Sequence, residues 1–203
     1  MPIEWIDEQG REHKVSLGLP ANLESATLDN LNPRPDIEGW DASVATVHDY
    51  IDLYAEYAEN GKGLLICGPV GTGKSHMVAA VAIEVYKAGL VSRVIWRDAG
   101  RFIRSLAPDV ESRRGNLRDY LTENLLVIDD LGGEYRTDWS TGLFEEVISG
   151  RYDRQRPTIV TTNLAPDEIQ KGYGDRLWDR LRDVNSVVVL AGESYRGARR
   201  GIE

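Results

Sequence analysis

The stretch Gly68-Pro69-Val70-Gly71-Thr72-Gly73-Lys74-Ser75 matches the pattern G-x-x-x-x-G-K-[ST] at every fixed position. That spacing suits a loop that wraps a phosphate. Its glycines let backbone N–H groups turn inward, beside the positive end of a following helix. Lys74 would reach the β- and γ-phosphates of ATP, and Ser75 would hold Mg²⁺ through its hydroxyl. His76 follows directly and is counted with the loop as a nucleotide contact. The run Leu125-Leu126-Val127-Ile128 then ends in Asp129-Asp130, placing Asp129 55 residues after Lys74. A carboxylate at the C-terminal end of a parallel strand sits in the crevice where such sheets bind ligands. Asp129 is therefore read as holding Mg²⁺ through its water shell, and Asp130 as orienting or deprotonating the attacking water. The competing reading is an Asx turn, since Asp-Asp-Leu-Gly is also good turn chemistry. A third run, Thr158-Ile159-Val160-Thr161, ends in Thr162-Asn163, whose amide could order the water near the γ-phosphate.

These groups need strands to carry them, and the sequence supplies short unbroken apolar runs separated by helical stretches. The runs are 63–67, 92–96, 125–128, 158–161 and 186–190; the helical stretches fall at 74–88, 99–121 (broken near Pro108), 138–153 and 166–183. Runs apolar on both faces suit a parallel sheet covered by helices on both sides. Five strands alternating with helices predict a three-layer α/β fold. Ahead of it, Val44, Val47, Ile51, Tyr54 and Ala58 recur at helical spacing, with Ser43 as a candidate N-cap. Residues 2–15 read as a small hairpin, and residues 17–41, with Pro20, Pro33 and Pro35, as an irregular linker draped over the surface. The expected organisation is a hairpin plus acidic linker over 1–41 and an ATPase domain over 42–203.

Composition removes several classes. With 203 residues and 41% apolar content the chain can bury a core without disulfides, and its single Cys67 excludes a disulfide framework or a Cys-rich zinc module. The N-terminus is acidic and resembles no signal peptide, and no apolar run approaches membrane-spanning length, so a cytoplasmic protein is expected. The net charge of −9 argues against nucleic acid until its distribution is considered. Residues 1–60 hold 13 acids and 3 Lys/Arg, whereas the remainder holds 20 acids and 21 Lys/Arg. The acidic third could meet a basic partner or simply be solvated, while the rest can still approach a polyanion.

In their order, these three strand ends resemble the AAA+ ATPases. Further matching residues point to the clade of DnaC/DnaI helicase loaders and IstB-like transposition ATPases. They are Asp129 to Gly132, Arg151-Tyr152 before Pro157 to Leu164, Gly174-Asp175-Arg176-Leu177-Trp178-Asp179-Arg180-Leu181, and Gly192-Glu193-Ser194-Tyr195-Arg196. The C-terminal pair looks most like DnaC-type loaders. The resemblance implies an AAA+ P-loop fold with a five-stranded parallel sheet and no large C-terminal helical lid. It implies that Arg180 is an arginine finger acting on a neighbour's γ-phosphate, with Arg176 the nearest competitor. Arg196 matches a sensor arginine for the phosphate of its own subunit. An ATP-dependent homo-oligomer follows, because a finger supplied in trans leaves an isolated subunit slow.

The same resemblance implies a replicative helicase as partner and single-stranded DNA in a central channel. Candidate DNA contacts are Arg97, Arg101, Phe102, Arg104, Arg113, Arg114, Arg118 and Tyr135, with Phe102 at helical spacing to Leu106 and so also a core candidate. The chain departs from the clade in having only about 40 residues, without cysteine, before its first core helix, where loaders usually carry a larger partner-binding domain. Trp5 on the hairpin is a candidate partner anchor, and Cys67 a small buried hydrophobe. His13, His48 and His76 show no metal-ligand spacing. The expected function is helicase loading. The alternatives are the ATPase subunit of a transposition system, a monomeric P-loop small-molecule kinase, and a nucleotide-gated binding module.

Overall fold

The computed structural model describes residues 3–6, 9–109 and 111–192. A short antiparallel hairpin pairs β1 (Ile3–Ile6) with β2 (Glu12–Val15). The main sheet contains β3 (Gly63–Cys67), β4 (Val94–Asp98), β5 (Leu125–Leu131), β6 (Thr158–Thr162) and β7 (Asn185–Val189). Its order is β4-β5-β6-β3-β7, and every pairing is parallel. Every strand therefore points its C-terminal end to the same edge, which is where the phosphate loop and the acidic pair emerge.

One face of the sheet is covered by α1 (Trp40–Asp52), α2 (Tyr54–Glu59) and α3 (Lys74–Lys87). The other carries α4 (Ala99–Ser105), α5 (Arg113–Thr122), α6 (Asp138–Tyr152), α7 (Pro166–Tyr173) and α8 (Asp175–Val184). The burial of β3 on both faces explains its continuous apolar run, whereas β6, equally buried, carries Thr158, Thr161 and Thr162 around Ile159 and Val160. The expectation fails at β7. It is an edge strand, and Val187 and Val189 are 39% and 51% exposed. Among the described residues no helix follows β7.

Several boundaries differ from the sequence reading for identifiable reasons. The first helix starts at Trp40, capped by the left-handed Gly39, because Trp40 buries its indole in the core ahead of Ser43. The stretch 99–121 breaks near Pro108, as expected, into two helices, with Asp98 accepting the Arg101 N–H as the cap of the first. The stretch 166–183 is likewise two, because Gly174 lies at φ 87° and ψ 161°, a conformation open mainly to glycine.

Apart from a 3₁₀ turn at Ala21–Leu23, residues 17–37 form no helix or strand, but they pack closely on the domain instead of draping over it as a linker. Leu17, Leu19, Leu23, Ala26 and Ile37 all enter the same core as α1 and α3. Polar anchors hold this strap to the phosphate loop. Arg34 is buried, forks onto Asp36 at 2.8 and 2.6 Å, and donates to the Gly71 carbonyl at 3.2 Å. Trp5 stacks on His13 at 4.7 Å and meets Tyr86 edge-on at 5.8 Å, fastening the hairpin to the far end of α3.

Candidate nucleotide-binding site

The phosphate loop leaves β3 through Gly68, at φ 152°, where a Cβ would lie 2.5 Å from the Leu190 carbonyl oxygen. It enters α3 through Gly73 at φ 93°, the left-handed cap of that helix. A side chain would strain either position, which is why glycine occupies both. Thr72 closes the loop on itself by donating to the Pro69 carbonyl at 2.9 Å. Lys74 is 6% exposed and donates to the carbonyls of Gly68 at 2.6 Å and Pro69 at 2.7 Å. It also donates to Asn163 Oδ1 at 2.8 Å. The amide at the end of β6 therefore touches the loop lysine 89 positions away.

The acidic pair is positioned by a bulge. Ile128 pairs with Val160, yet the next register pair is Leu131 with Thr162, so β5 carries an extra residue at Asp129-Asp130. Regular pleating would turn these two side chains to opposite faces. Asp130 instead adopts φ 60°, uncommon outside glycine and most tolerable for Asn and Asp. Asn163 Nδ2 donates to Asp130 Oδ1 at 2.6 Å, and the Asp130 N–H donates to Thr161 Oγ1 at 2.9 Å. Gly133 makes room for this carboxylate; a Cβ there would lie 2.5 Å from Asp130 Oδ2.

Asp129 Oδ1 accepts hydrogen bonds from Ser75 Oγ at 2.8 Å and Thr161 Oγ1 at 2.6 Å. Burial pushes its carboxyl above the ordinary value, the two hydroxyl bonds oppose that, and the neighbouring Asp130 charge adds to it. A half-buried carboxylate beside a serine hydroxyl is a hard-oxygen donor set. It fits Mg²⁺, which takes one or two protein oxygens and completes its shell with water and phosphate. Among the described residues no cluster of three or more His, Cys, Asp or Glu could hold a metal by itself.

These groups line one cleft of about 520 Å³, whose opposite wall comes from the strap at Pro20, Asn22, Leu23 and Asn32. His76 lies in the cleft wall, its Nε2 2.9 Å from the Thr27 carbonyl and 2.8 Å from Asn30 Oδ1. Val70 is 48% exposed at the rim. Sequence reasoning missed Thr161, the strap and the glycine at 133. The Thr-Thr-Asn strand end was the available signal for the first; nothing local marks the others.

The remaining candidates separate into groups. Arg180 and Arg176 are absent from this cleft and line a different cavity of about 560 Å³ on α8. Arg196 lies outside the described residues. Phe102 is a correction: it is fully buried, stacked on Tyr120 at 5.1 Å and Phe144 at 4.8 Å, and so belongs to the core. Arg97 is half-buried and donates to the Tyr120 hydroxyl and the Trp96 carbonyl. The Arg113 Nε is buried. Arg101, Arg104, Arg114 and Arg118 are exposed on α4 and α5. Tyr135 is 89% exposed, and Trp139, which the sequence reading did not single out, is 42% exposed just beyond it. Cys67 is buried, and burial pushes its thiol up to about 11.

The parallel sheet, the phosphate loop and the two further strand ends meeting at it define a P-loop nucleotide-binding protein of the AAA+ type. The chain belongs to the family of IstB-like ATP binding proteins, whose model matches residues 28–201. It is 29% identical over 178 residues to the replicative helicase loader DnaC of Escherichia coli K12, covering 85% of this chain and 70% of that protein. It is 25% identical over 147 residues to an ATP-binding protein of insertion sequence IS21 from Pseudomonas aeruginosa, covering 69% of this chain and 54% of the other. The crystal structure of the DnaC helicase loader has the same fold, with a TM-score of 0.74 at 24% identity over 84% of this chain and 99% of that one. No helix among the described residues is long and apolar enough to cross a membrane.

Proposed function

We propose that this chain is an ATPase that assembles on single-stranded DNA and loads a replicative helicase. One observation carries the hydrolytic part. Asn163 joins the loop lysine to Asp130 through the two ends of a single amide, while no arginine is among the described residues lining the cleft. The cleft thus gathers groups suited to orient a water and bind a triphosphate. Among the described residues it holds no guanidinium to stabilise charge spreading over the transferring phosphoryl group. Arg180, on its own cavity, is suited to supply that group to a second copy.

In this reading Lys74 and the loop N–H groups bind the β- and γ-phosphates, and a phosphate oxygen takes the place of the loop carbonyls around the ammonium. Ser75 and Asp129 hold Mg²⁺, which when bound neutralises phosphate charge. Asp130, fixed by Asn163 and by its own N–H bond to Thr161, accepts the proton of the attacking water. The strap provides the wall against the base, and His76 ties that wall to the first turn of α3. Exposed Arg101, Arg104, Arg114 and Arg118 follow a phosphate backbone, and Tyr135 and Trp139 offer aromatic faces to bases. Helicase loading is supported by the similarity to DnaC over most of both chains.

The experiment measures ATP turnover per subunit across protein concentrations, with and without single-stranded DNA, for wild type, Lys74→Ala and Arg180→Ala. Turnover that rises with both, and an Arg180→Ala defect relieved by adding Lys74→Ala subunits, is the expected result. Flat turnover with a silent Arg180→Ala would overturn the shared-site reading. Loading is tested by forked-DNA unwinding with the replicative helicase of the source cell; no stimulation at any ATP concentration refutes it. The insertion-sequence relative supports a second reading, a transposition ATPase. That reading expects double-stranded DNA, and not single-stranded DNA, to stimulate turnover.

A further inference from the structure

The consecutive residues Arg151 and Tyr152 end α6, and they face different neighbours. The Arg151 side chain is fully buried and donates to the carbonyls of Tyr120 at 2.6 Å, Glu123 at 3.1 Å and Pro157 at 2.6 Å, and to Thr158 Oγ1 at 2.9 Å. It locks the end of α6 to α5 and to the start of β6. Successive helical side chains diverge by about 100°. Tyr152 accordingly emerges against α8, on the wall of the cavity that also holds Arg180.

Arg180 has a cradle there. Its Nη1 donates to Ser149 Oγ at 2.5 Å, and its guanidinium carbon lies 5.5 Å from the centroid of the Tyr152 ring. Neither partner is a carboxylate. Two acids lining the cavity are engaged by other groups, Asp179 by Arg182 at 3.2 Å and Asp175 by Gln170 at 2.8 Å, while Arg176 pairs with Glu145 at 3.1 Å. Asp183, within a turn of Arg180, accepts the Tyr152 hydroxyl at 2.7 Å. A guanidinium already paired with a carboxylate has its charge offset; one held by a hydroxyl and a ring face keeps its charge available for a phosphate. This separates Arg180 from Arg176, its competitor one turn earlier, which already has a carboxylate partner.

We propose that Tyr152 is the positioning residue of Arg180, its ring aiming the guanidinium and its hydroxyl keeping Asp183 from neutralising it. This rests on the reading of Arg180 as a finger acting in trans. Removing the hydroxyl alone would leave the ring but free Asp183 to pair with Arg180. Removing the Asp183 charge as well would then restore the finger, which no purely structural role of Tyr152 predicts.

The test separates finger donors from finger acceptors. Full-length Lys74→Ala subunits serve as donors, with an intact finger and a disabled phosphate loop; Arg180→Ala subunits serve as acceptors, with an intact loop and no finger. ATP turnover in the mixture reads the donor's finger. Adding Tyr152→Phe to the donor should lower that turnover about fivefold, the upper range for a newly formed exposed ion pair. Adding Asp183→Asn to that donor should return turnover to within about twofold of the starting donor, as expected once the competing ion pair is gone. Tyr152→Phe in the acceptor should leave turnover unchanged. Full rescue by the Tyr152→Phe donor overturns the proposal, as does equal loss from donor and acceptor, or failure of Asp183→Asn to restore it. If the unmodified Lys74→Ala donor fails to rescue Arg180→Ala, the trans reading falls and the proposal with it.

Discussion

Thr161 joins the two acids more directly than any other residue, and Thr161→Val removes only its hydroxyl while keeping its shape. The side chain is 1% exposed. Its Oγ1 donates to Asp129 at 2.6 Å and accepts the Asp130 N–H at 2.9 Å. Losing the bond to a carboxylate costs about 1.5–3 kcal/mol, and leaving a part-buried N–H without its acceptor about 1–3 kcal/mol. Partial relaxation brings the expected total to about 3 kcal/mol, which for a domain near this size lowers the melting temperature by about 6–12 °C. The same change weakens Mg²⁺-dependent nucleotide binding. Burial already pushes the Asp129 carboxyl up, and the Thr161 hydroxyl is the leading influence opposing it. Thermal unfolding by near-UV circular dichroism, without nucleotide, reads the first effect. Titration with a fluorescent ATP analogue, with Mg²⁺ and with EDTA, reads the second. Thr161→Ser keeps the hydroxyl and should bind as wild type does. A valine variant melting within about 2 °C of wild type, with unchanged Mg²⁺-dependent binding, would refute the reasoning.

Other consequences are equally open to measurement. Replacing Arg151 with methionine leaves the carbonyls of Tyr120, Glu123 and Pro157 without their donor. It should destabilise the protein by about 3–5 kcal/mol in chemical denaturation, whereas a surface change such as Arg118→Met should cost under about 0.5 kcal/mol. Gly133→Ala crowds the Asp130 carboxylate, so turnover should fall about tenfold or more while ATP affinity changes by less than about threefold; equal loss of both would contradict the assignment of Asp130. The Cys67 thiol, raised from 9.0 to about 11, stays protonated in the folded chain where an unfolded chain ionises. The unfolded state therefore binds fewer protons over that window, and stability should decline as pH rises from 9 towards 11, more in wild type than in Cys67→Ala. Native Cys67 should also resist alkylation at pH 8 until the chain unfolds.

Legibility of the fold followed burial. Strands covered on both faces, such as β3 and the Leu125-to-Ile128 part of β5, carry uninterrupted apolar runs and could be read directly. The edge strand β7 carries a similar run, Val187 to Val189, yet leaves two of its valines exposed. Composition alone does not say which strand closes a sheet. Helix boundaries failed where one residue's tertiary role outweighed local preference. Trp40 extends the first helix by entering the core, and Gly174 divides a stretch whose periodicity is otherwise helical. The strap was legible as irregular from its prolines. That it packs Leu17, Leu19 and Leu23 on the domain depends on surfaces distant in sequence.

The phosphate loop was fully determined by the sequence, because its chemistry uses backbone N–H groups and glycines that are contiguous. The parallel sheet was nearly so, because burial on both faces leaves a local record in its central strands, most plainly β3 and β5. What only the tertiary structure decided are meetings between strand ends: Asn163 between Lys74 and Asp130, Thr161 between Asp129 and Asp130, and the bulge that turns both acids toward β6. It also decided that Arg180 lies on a cavity apart from its own phosphate loop, cradled by Ser149 and Tyr152. Such contacts join residues tens of positions apart, and their geometry depends on strand order and register, which no local pattern in the chain encodes.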